Sequence, residues 1–222
     1  MMTILNNSTP FIIAIDGPAA SGKGTLARKI AAHYHLLHLD TGLSYRAVAN
    51  ALLKADKPLD NEDLAVKTAQ DLDFSKFDTS HLSSNEIGKA ASKVAILPKL
   101  RDALVLRQRE FAKKSLKGAV LDGRDIGTVV CPDANVKLYI VADATIRAKR
   151  RYDEIISKGK IADYEAILQD VINRDKRDMT REESPLKPAD DAHLLDTTNL
   201  GIEAAFETAC AIVDPIWKQY QS

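Results

Sequence analysis

The segment Ile12–Thr25, IIAIDGPAASGKGT, constrains the fold more than any other part of the sequence. It begins with a short apolar run, turns through glycine, proline and small residues, and reaches a lone lysine that opens a helical pattern. The spacing Gly17-x4-Gly22-Lys23 between a strand and a helix is typical of a phosphate-binding loop. Small residues let backbone N–H groups curl around phosphate oxygens, and the helix points its positive end at the same place. We therefore predict a phosphate site in which Lys23 contacts the β- and γ-phosphates of a nucleotide.

The end of this loop departs from the general pattern. Gly24 stands where serine or threonine is expected, and Thr25 follows it. The ending GKGT resembles that of nucleoside monophosphate kinases, so Thr25 is the predicted hydroxyl near Mg²⁺. The predicted ATP-binding residues are Gly17, Pro18, Ala19, Ala20, Ser21, Gly22, Lys23, Gly24 and Thr25.

Strand and helix patterns alternate along most of the chain, which predicts an α/β fold. The predicted strands are 11–15, 36–40, 118–123, 135–143 and 193–197. Strands that alternate with helices predict a five-stranded, mostly parallel sheet with helices on both faces.

Residues 56–115 break this alternation with helical patterns alone, so we interpret them as an insert. The core then comprises 10–55 and 116–222, and we expect a lid at about 150–190, where a loop with two prolines follows a helix. Residues 1–9 are a lead-in without an assigned role. All these parts are expected to form one structural unit.

Composition narrows the class of protein. The 222 residues include 31 Lys and Arg and 31 Asp and Glu, so the formal net charge is zero. This balance argues against a global nucleic-acid or membrane surface. Cys131 and Cys210 suggest neither a disulfide framework nor a metal site, and no signal peptide is recognised. We expect a cytoplasmic protein, and a monomer because the helices show no obvious second apolar face.

Two polar motifs follow predicted strands, at the edge where open α/β sheets bind ligands. In LDTGLSYRA (39–47), Arg46 lies near the start of a helix predicted from Ser44 and can bind a second phosphate group. In LDGRDIGT (121–128), Asp122 ends a strand and is predicted to hold Mg²⁺ through water. Arg124 and Asp125 follow in a glycine-flanked turn that allows close approach to a ligand.

The segment RDKRDMTR (174–181) places Arg174, Asp178 and Arg181 on one helical face. These residues predict either a solvated, salt-bridged helix or a lid whose arginines close on the transferred phosphate. A second basic cluster, RAKRR (147–151), assists there or binds nucleic acid, although acidic residues follow it directly. His33, His35 and His38 lack metal-ligand spacing and are interpreted as structural.

Nearly the whole chain resembles the bacterial cytidylate kinases. The resemblance rests on six blocks in the same order: IAIDGPAASGKGT, LDTGLSYR, ASKVAILPKLRDAL, LDGRDIGT, RDKRDMTR and PLKPADDAHLLDTT. It implies transfer of the γ-phosphoryl group of ATP to CMP or dCMP with Mg²⁺, by a parallel-sheet core with a lid and a nucleoside monophosphate insert. It also implies catalytic roles for Lys23, Arg174 and Arg181. The residues that it implies for CMP are Thr41, Tyr45, Arg46, Ser92, Arg101, Gly123, Arg124, Asp125, Arg174, Asp178 and Arg181. Thr41 stands where the family has serine, which keeps the hydroxyl.

These residue types suit cytosine, which offers acceptors at O2 and N3 and a donor at N4. Arg101 can serve the acceptors and Asp125 can take the donor, whereas uracil would mismatch both. The nucleophile is already a phosphate oxygen, so alignment and charge neutralisation suffice without a catalytic base.

Three alternatives remain at this point. The first is a kinase for another acceptor, such as UMP or AMP. The second is a nucleotide-dependent switch, although the Asn-Lys dipeptide of a guanine reader occurs nowhere in the chain. The third is a nucleic-acid-binding module built on the RAKRR cluster, for which binding would depend steeply on salt.

Overall fold

A computed structural model describes residues 9–72, 79–82 and 84–222. The lead-in therefore lies outside the described residues, apart from Thr9. Six residues of the insert, 73–78, and residue 83 lie outside them as well.

Five strands form one parallel sheet, which confirms the predicted α/β fold. All four strand pairings are parallel, and the spatial order is β2-β3-β1-β4-β5. The strands are β1 (Phe11–Asp16), β2 (Leu37–Asp40), β3 (Gly118–Gly123), β4 (Val136–Val141) and β5 (His193–Asp196).

Helices connect and cover these strands. They are α1 (Lys23–Tyr34), α2 (Thr41–Lys54), α3 (Glu62–Asp71), α4 (Thr79–Leu82), α5 (Asn85–Val94), α6 (Pro98–Ala112), α7 (Ala144–Ser157), α8 (Tyr164–Thr180) and α9 (Ile202–Gln221), with a π-helical turn at Ile126–Val130. Helix α2 begins at Thr41, three residues before the prediction, because the Asp40 side chain accepts a hydrogen bond from Gly42 N and caps it. Among the described residues, no helix combines the length and apolarity that a membrane crossing needs.

The central strand β1 is buried on both faces, as its continuous apolar run predicts. Alternate side chains point to opposite faces of a strand. Phe11, Ile13 and Ile15 therefore pack in one cluster with α1 and α9. Ile12 and Ala14 pack in a second cluster with α6 and the π-helical turn. The two clusters explain why helices lie on both faces of the sheet.

The predicted insert has its own apolar core. Val48 and Leu52 of α2 pack there with Val94 of α5 and with Leu100 and Leu104 of α6. Helix α6 reaches further, because its far end also packs on the sheet. The insert is therefore joined to the core through packed helices, and the division at 56–115 stays a prediction.

Gly118 provides a test of how tightly β1 and β3 approach. It opens β3 at a φ of +120°, and a Cβ there would lie 1.8 Å from the carbonyl oxygen of Phe11. We expect Gly118→Ala to lower the free energy of unfolding by more than about 2 kcal/mol, because backbone strain and a backbone clash add. Urea titration measures the loss.

Gly159 is the matched control. Its φ of +71° is also left-handed, but a Cβ there would meet nothing within 4 Å. Gly159→Ala should cost about 1 kcal/mol from conformation alone. Equal losses in the two variants would contradict the clash at Gly118.

Candidate active site

The parallel sheet brings the carboxyl ends of β1, β2 and β3 to one edge, where a cavity of about 190 Å³ opens. The phosphate loop follows β1, helix α2 follows β2, and the Arg124–Asp125 corner follows β3. Six cationic side chains and four carboxylates line the cavity, so it is positive within a chain of zero net charge. They are Lys23, Arg46, Arg101, Arg124, Arg174, Arg181, Asp40, Asp122, Asp125 and Asp178.

The phosphate loop has the predicted strand–loop–helix setting. Gly22 has a φ of +88°, a left-handed conformation that turns the chain into α1 at Lys23. The Lys23 ammonium donates a 3.4 Å hydrogen bond to the carbonyl oxygen of Pro18. Burial, assisted by the charge of Arg124, lowers the pKa of Lys23 to about 8. An anionic ligand beside the Lys23 ammonium would favour its charged form and raise this pKa.

The loop lies between two cavities. Ala19, Ala20, Lys23 and Gly24 face the first, whereas Ser21, Gly22 and Thr25 line a second cavity of about 250 Å³. The structure therefore does not bring Thr25 and Asp122, the two predicted metal residues, into one cavity. Thr25 is exposed, and its hydroxyl accepts a 3.3 Å hydrogen bond from Arg28.

The second cavity contains residues that the sequence analysis did not assign. Arg150, Thr197 and Leu200 line it, and Arg150 donates hydrogen bonds to the carbonyl oxygens of Thr197 at 2.5 Å and Leu200 at 3.3 Å. Its lining is mostly apolar, and it adjoins the phosphate loop. Arg150 belongs to the RAKRR cluster and Thr197 to the PLKPADDAHLLDTT block, but neither sequence pattern shows where its side chains point.

Arg101 and Asp125 form a buried ion pair at one end of the first cavity. Arg101 Nη2 lies 2.5 Å from Asp125 Oδ2, and the two side chains are 4% and 8% exposed. The Tyr45 ring lies 5.5 Å from the Arg101 guanidinium. Burial opposes the charge of Arg101, but Tyr45 and Asp125 outweigh it and raise the pKa of Arg101. These residues are far apart in sequence, yet they form one polar surface.

The side chains of Thr41 and Asp16 form hydrogen bonds with the backbone on either side of the Arg124–Asp125 corner. Thr41 Oγ1 donates to the backbone oxygen of Asp122 at 2.8 Å, and a Cβ on Gly123 would lie 2.5 Å from the same hydroxyl. Thr41 and Gly123 therefore shape the corner. Buried Asp16 accepts hydrogen bonds from Ile126 N at 2.8 Å and Gly127 N at 2.7 Å, at the start of the π-helical turn. Burial raises the pKa of Asp16 to about 6 despite these donors.

The three residues predicted on one helical face all reach the first cavity, but Arg181 does so from extended backbone just past the end of α8, so the shared helical face is wrong for that residue. Arg124 Nε donates to Asp178 Oδ2 at 2.8 Å, which links the corner to α8. Burial disfavours the Asp178 carboxylate, but Arg124 and Arg174 outweigh it and lower its pKa. Burial and the charge of Arg124 lower the pKa of Arg174 to about 10. Burial and the charge of Arg101 likewise lower the pKa of Arg181.

Arg46 and Ser92 line the same cavity, and both also contact protein groups. Arg46 Nη1 donates to the carbonyl oxygens of Leu82 at 2.8 Å and Ser84 at 3.2 Å. Ser92 Oγ accepts a 3.3 Å hydrogen bond from Arg177 Nε, which joins α5 to α8. Arg46 is thus held against the insert at the edge of the cavity.

The RAKRR cluster is not a solvated basic face. Arg147 is buried, and its Nη2 lies 2.5 Å from Asp175 Oδ2. Arg147 also donates to the carbonyl oxygens of Ala19 at 3.2 Å and Ala142 at 2.8 Å. Arg147 and Arg150 therefore bind protein groups, whereas Lys149 of the same cluster is exposed and pairs with Asp153.

Two carboxylates stand beside the phosphate loop. Asp40 and Asp122 are register partners in β2 and β3, and burial together with the Asp122 charge raises the pKa of Asp40. Asp122 Oδ1 would lie 3.7 Å from a Cβ on Gly24, so it faces the loop. Carboxylate oxygens beside phosphates suit Mg²⁺, which usually binds through one or two carboxylates, waters and substrate phosphates. The described residues contain no cluster of three or more His, Cys, Asp or Glu that could hold a metal ion.

Three arginine nitrogens around the first cavity are buried and lack a hydrogen-bond partner among the described residues. They are Arg101 Nε, Arg174 Nε and Arg181 Nη2. Buried charged donors without partners are costly, and an anionic or acceptor-rich ligand would satisfy them.

Comparisons with known proteins show which family the chain resembles. The family model described as cytidylate kinase matches residues 13–214. A protein named cytidylate kinase from Bartonella tribocorum is 62% identical over 211 residues, covering 95% of this chain and 98% of that protein. Another of the same name, from Bartonella henselae, is 63% identical over 209 residues, covering 94% of this chain and 97% of that protein.

The fold also matches solved structures. A gluconokinase from Sinorhizobium meliloti aligns with a TM-score of 0.51 at 13% identity, covering 96% of this chain and 98% of that one. At this identity the likeness concerns the fold alone. The sequence relatives are much nearer and extend over almost the whole chain. Because the family model spans residues 13–214, this chain belongs to the cytidylate kinase family.

Proposed function

We propose that this nucleoside monophosphate kinase transfers the γ-phosphoryl group of ATP to CMP and dCMP. The observation that carries the proposal is the set of buried nitrogens without a hydrogen-bond partner on Arg101, Arg174 and Arg181, around one positive cavity beside the phosphate loop. Arg174 Nε also lies 3.8 Å from Asp178 Oδ2, which is beyond hydrogen-bond distance. A nucleoside monophosphate supplies acceptors for them at both of its ends, on the phosphate and on the base. Family membership supports the same substrate class.

Arg101 and Asp125 are the proposed readers of the base. Cytosine presents N4 as a donor to Asp125, and O2 and N3 as acceptors to Arg101. Uracil presents N3–H and O4 instead, so it would leave a buried donor opposite a donor and an acceptor opposite an acceptor. The Tyr45 ring adds an apolar wall beside the pair. The corner that carries Asp125 is fixed by Thr41 and Gly123, which gives those two residues an indirect part.

ATP is proposed to lie along the phosphate loop, with its phosphates over Gly17–Thr25 and near Lys23. The second cavity, which Arg150 and Leu200 line, is large and apolar enough for a base. Its position on the other side of the loop would leave the γ-phosphate directed toward the first cavity.

The reaction requires one bond to form and one to break. A phosphate oxygen of CMP attacks the γ-phosphorus of ATP, and the bond between that phosphorus and the β,γ-bridging oxygen breaks to release ADP. Lys23, Arg174 and Arg181 lie where they would align the two anions and neutralise charge as it moves. Arg46, Ser92, Arg124 and Asp178 hold the acceptor. No protein base is needed, because the attacking oxygen is already anionic.

Mg²⁺ would fit beside Asp122 and Asp40, with Asp122 acting through water and Thr25 contributing only if its side chain turned toward the first cavity. When bound, the ion neutralises charge on the β- and γ-phosphates. The two carboxylates supply the hard oxygen donors that it prefers.

The proposal includes a cellular setting. Cys131 and Cys210 are free thiols, in keeping with a reducing compartment such as the cytoplasm. Zero net formal charge is in keeping with small-molecule partners alone, without nucleic acid or membrane, and we expect a monomer.

A coupled assay of ADP release should show strong turnover with CMP and dCMP, weak turnover with UMP and none with AMP. Asp125→Asn replaces an acceptor by an amide whose N–H₂ opposes the cytosine amino group. We expect kcat/KM for CMP to fall by about 10²-fold, with a smaller fall for UMP.

Asp133→Asn is the matched control, because Asp133 is exposed in a loop beyond the same motif. It should leave the ratio of CMP to UMP turnover unchanged. If the unaltered protein turned over UMP or AMP faster than CMP, the proposed acceptor would be wrong. If it turned over none of the four nucleotides, a nucleotide-dependent switch would be favoured.

Arg174→Ala and Arg181→Ala should reduce kcat far more than ATP affinity. An arginine directed at the transferring group is worth about 10³-fold or more in related chemistry, while the loop holds ATP independently. Turnover assays and calorimetric titration with ADP separate the two effects. Lys176→Ala, on the exposed side of α8, which also carries Arg174, is the control. Loss of nucleotide binding with kcat intact would overturn the assignment.

Nucleotide binding should take up protons in mildly alkaline solution. The free protein holds Lys23 at a pKa of about 8, and a bound phosphate favours the charged amine and raises that pKa. Affinity for ADP should therefore fall as pH rises through about 8 to 9. Calorimetry in buffers of different ionisation enthalpy measures the uptake. Lys23→Arg stays charged at these pH values and should abolish it, whereas unchanged uptake would assign the proton to another group.

A further inference from the structure

We propose that His38 is a positioning residue for the metal-bound phosphates, because it holds the carboxylate of Asp122 in one orientation. This role rests on the proposed function, since it concerns the Mg²⁺ that accompanies ATP. The sequence analysis interpreted His38 as structural, so the proposal changes that interpretation.

The register of β2 and β3 brings the two residues together. His38 pairs with Val120 and Asp40 pairs with Asp122, so His38 precedes Asp40 on the same face of β2. Asp122 lies diagonally opposite His38, at a distance that a long side chain can bridge. His38 Nε2 lies 2.8 Å from Asp122 Oδ2. The proposed role uses the tautomer in which Nε2 carries the proton and donates a hydrogen bond to the carboxylate.

Because of this hydrogen bond, the two carboxylate oxygens of Asp122 have different surroundings. Oδ2 is held by His38, while Oδ1 faces Gly24 of the phosphate loop, 3.7 Å from the position of a Cβ there. One oxygen of Asp40 is also bound to the protein, because its Oδ1 accepts a hydrogen bond from Gly42 N. One oxygen of each carboxylate is thus fixed to the protein at the site where Mg²⁺ is expected.

The charges nearby explain why Asp122 needs such a restraint. Lys23 and Arg124 both attract Asp122, whereas the neighbouring Asp40 repels it. A carboxylate without His38 could turn toward either cation and withdraw its oxygen from the loop. His38 offers a directed donor on the far side, on the edge strand. Partners that orient metal-side ligands in this way often change metal affinity by about 10- to 100-fold when they are removed.

The experiment compares His38→Leu, which removes the donor, with His38→Gln, whose side-chain N–H₂ can replace Nε2. His193→Leu is the matched control, because His193 is exposed on the opposite edge strand, β5. Calorimetry measures ADP binding with Mg²⁺ and with EDTA, which needs no turnover. A second series measures the Mg²⁺ concentration for half-maximal CMP phosphorylation. Urea titration verifies that each variant is folded.

We expect His38→Leu to reduce the affinity gained from Mg²⁺ by about tenfold, with ADP binding in EDTA and KM for CMP unchanged. His38→Gln should recover most of the gain. An unaltered Mg²⁺ gain in His38→Leu would overturn the proposal. Equal loss in the Leu and Gln variants would also overturn it, because packing and not the donor would then be responsible. Failure of the unaltered protein to phosphorylate CMP would instead refute the proposed function, since the ADP arm still reports on His38.

Discussion

The parallel register of β1, β2 and β3 is the constraint on which the site depends. It places Asp16 beside Gly123 and Asp40 beside Asp122, so that the phosphate loop, helix α2 and the Arg124–Asp125 corner begin at one edge of the sheet. A shift by one residue would turn every side chain of a strand to the other face. The phosphate loop, the carboxylates and the Arg124–Asp125 corner would then no longer face a common cavity. The buried clusters on both faces of β1 hold that register.

The site concentrates charge where water is scarce. Buried ion pairs recover only part of the desolvation energy that they lose, and removing one partner of such a pair typically costs about 3–5 kcal/mol. Arg101–Asp125 and Arg124–Asp178 are pairs of this kind, and each joins the corner to another element, α6 or α8. Burial, and after it the charge of neighbouring cations, lowers the pKa values of Lys23, Arg174 and Arg181. Substrate phosphates would relieve this repulsion, so binding energy and catalytic arrangement come from the same charges.

Two side-chain contacts join α5 to α8 beside the first cavity. Ser92 accepts from Arg177, and Lys89 of α5 lies 2.7 Å from Asp170 of α8. The second contact is an exposed ion pair and therefore weak. Helix α8 is held more firmly to α7 through the buried Arg147–Asp175 pair, which also reaches the phosphate loop at Ala19. Helix α8, which carries Arg174 and Arg177, is therefore held by contacts with both α7 and α5.

The sequence alone determined the class of fold and the location of the chemistry. Strand and helix periodicity and the Gly-x4-Gly-Lys spacing are local properties, and they predicted the parallel sheet, the phosphate loop and the motifs at the strand ends. Local patterns do not report which side chains meet across elements. Only the tertiary structure paired Arg101 with Asp125, separated Thr25 from Asp122 by the loop itself, and turned Arg147 and Arg150 inward. It also placed His38 on Asp122, because strand register and helix packing, which depend on contacts distant in sequence, decide where each side chain points.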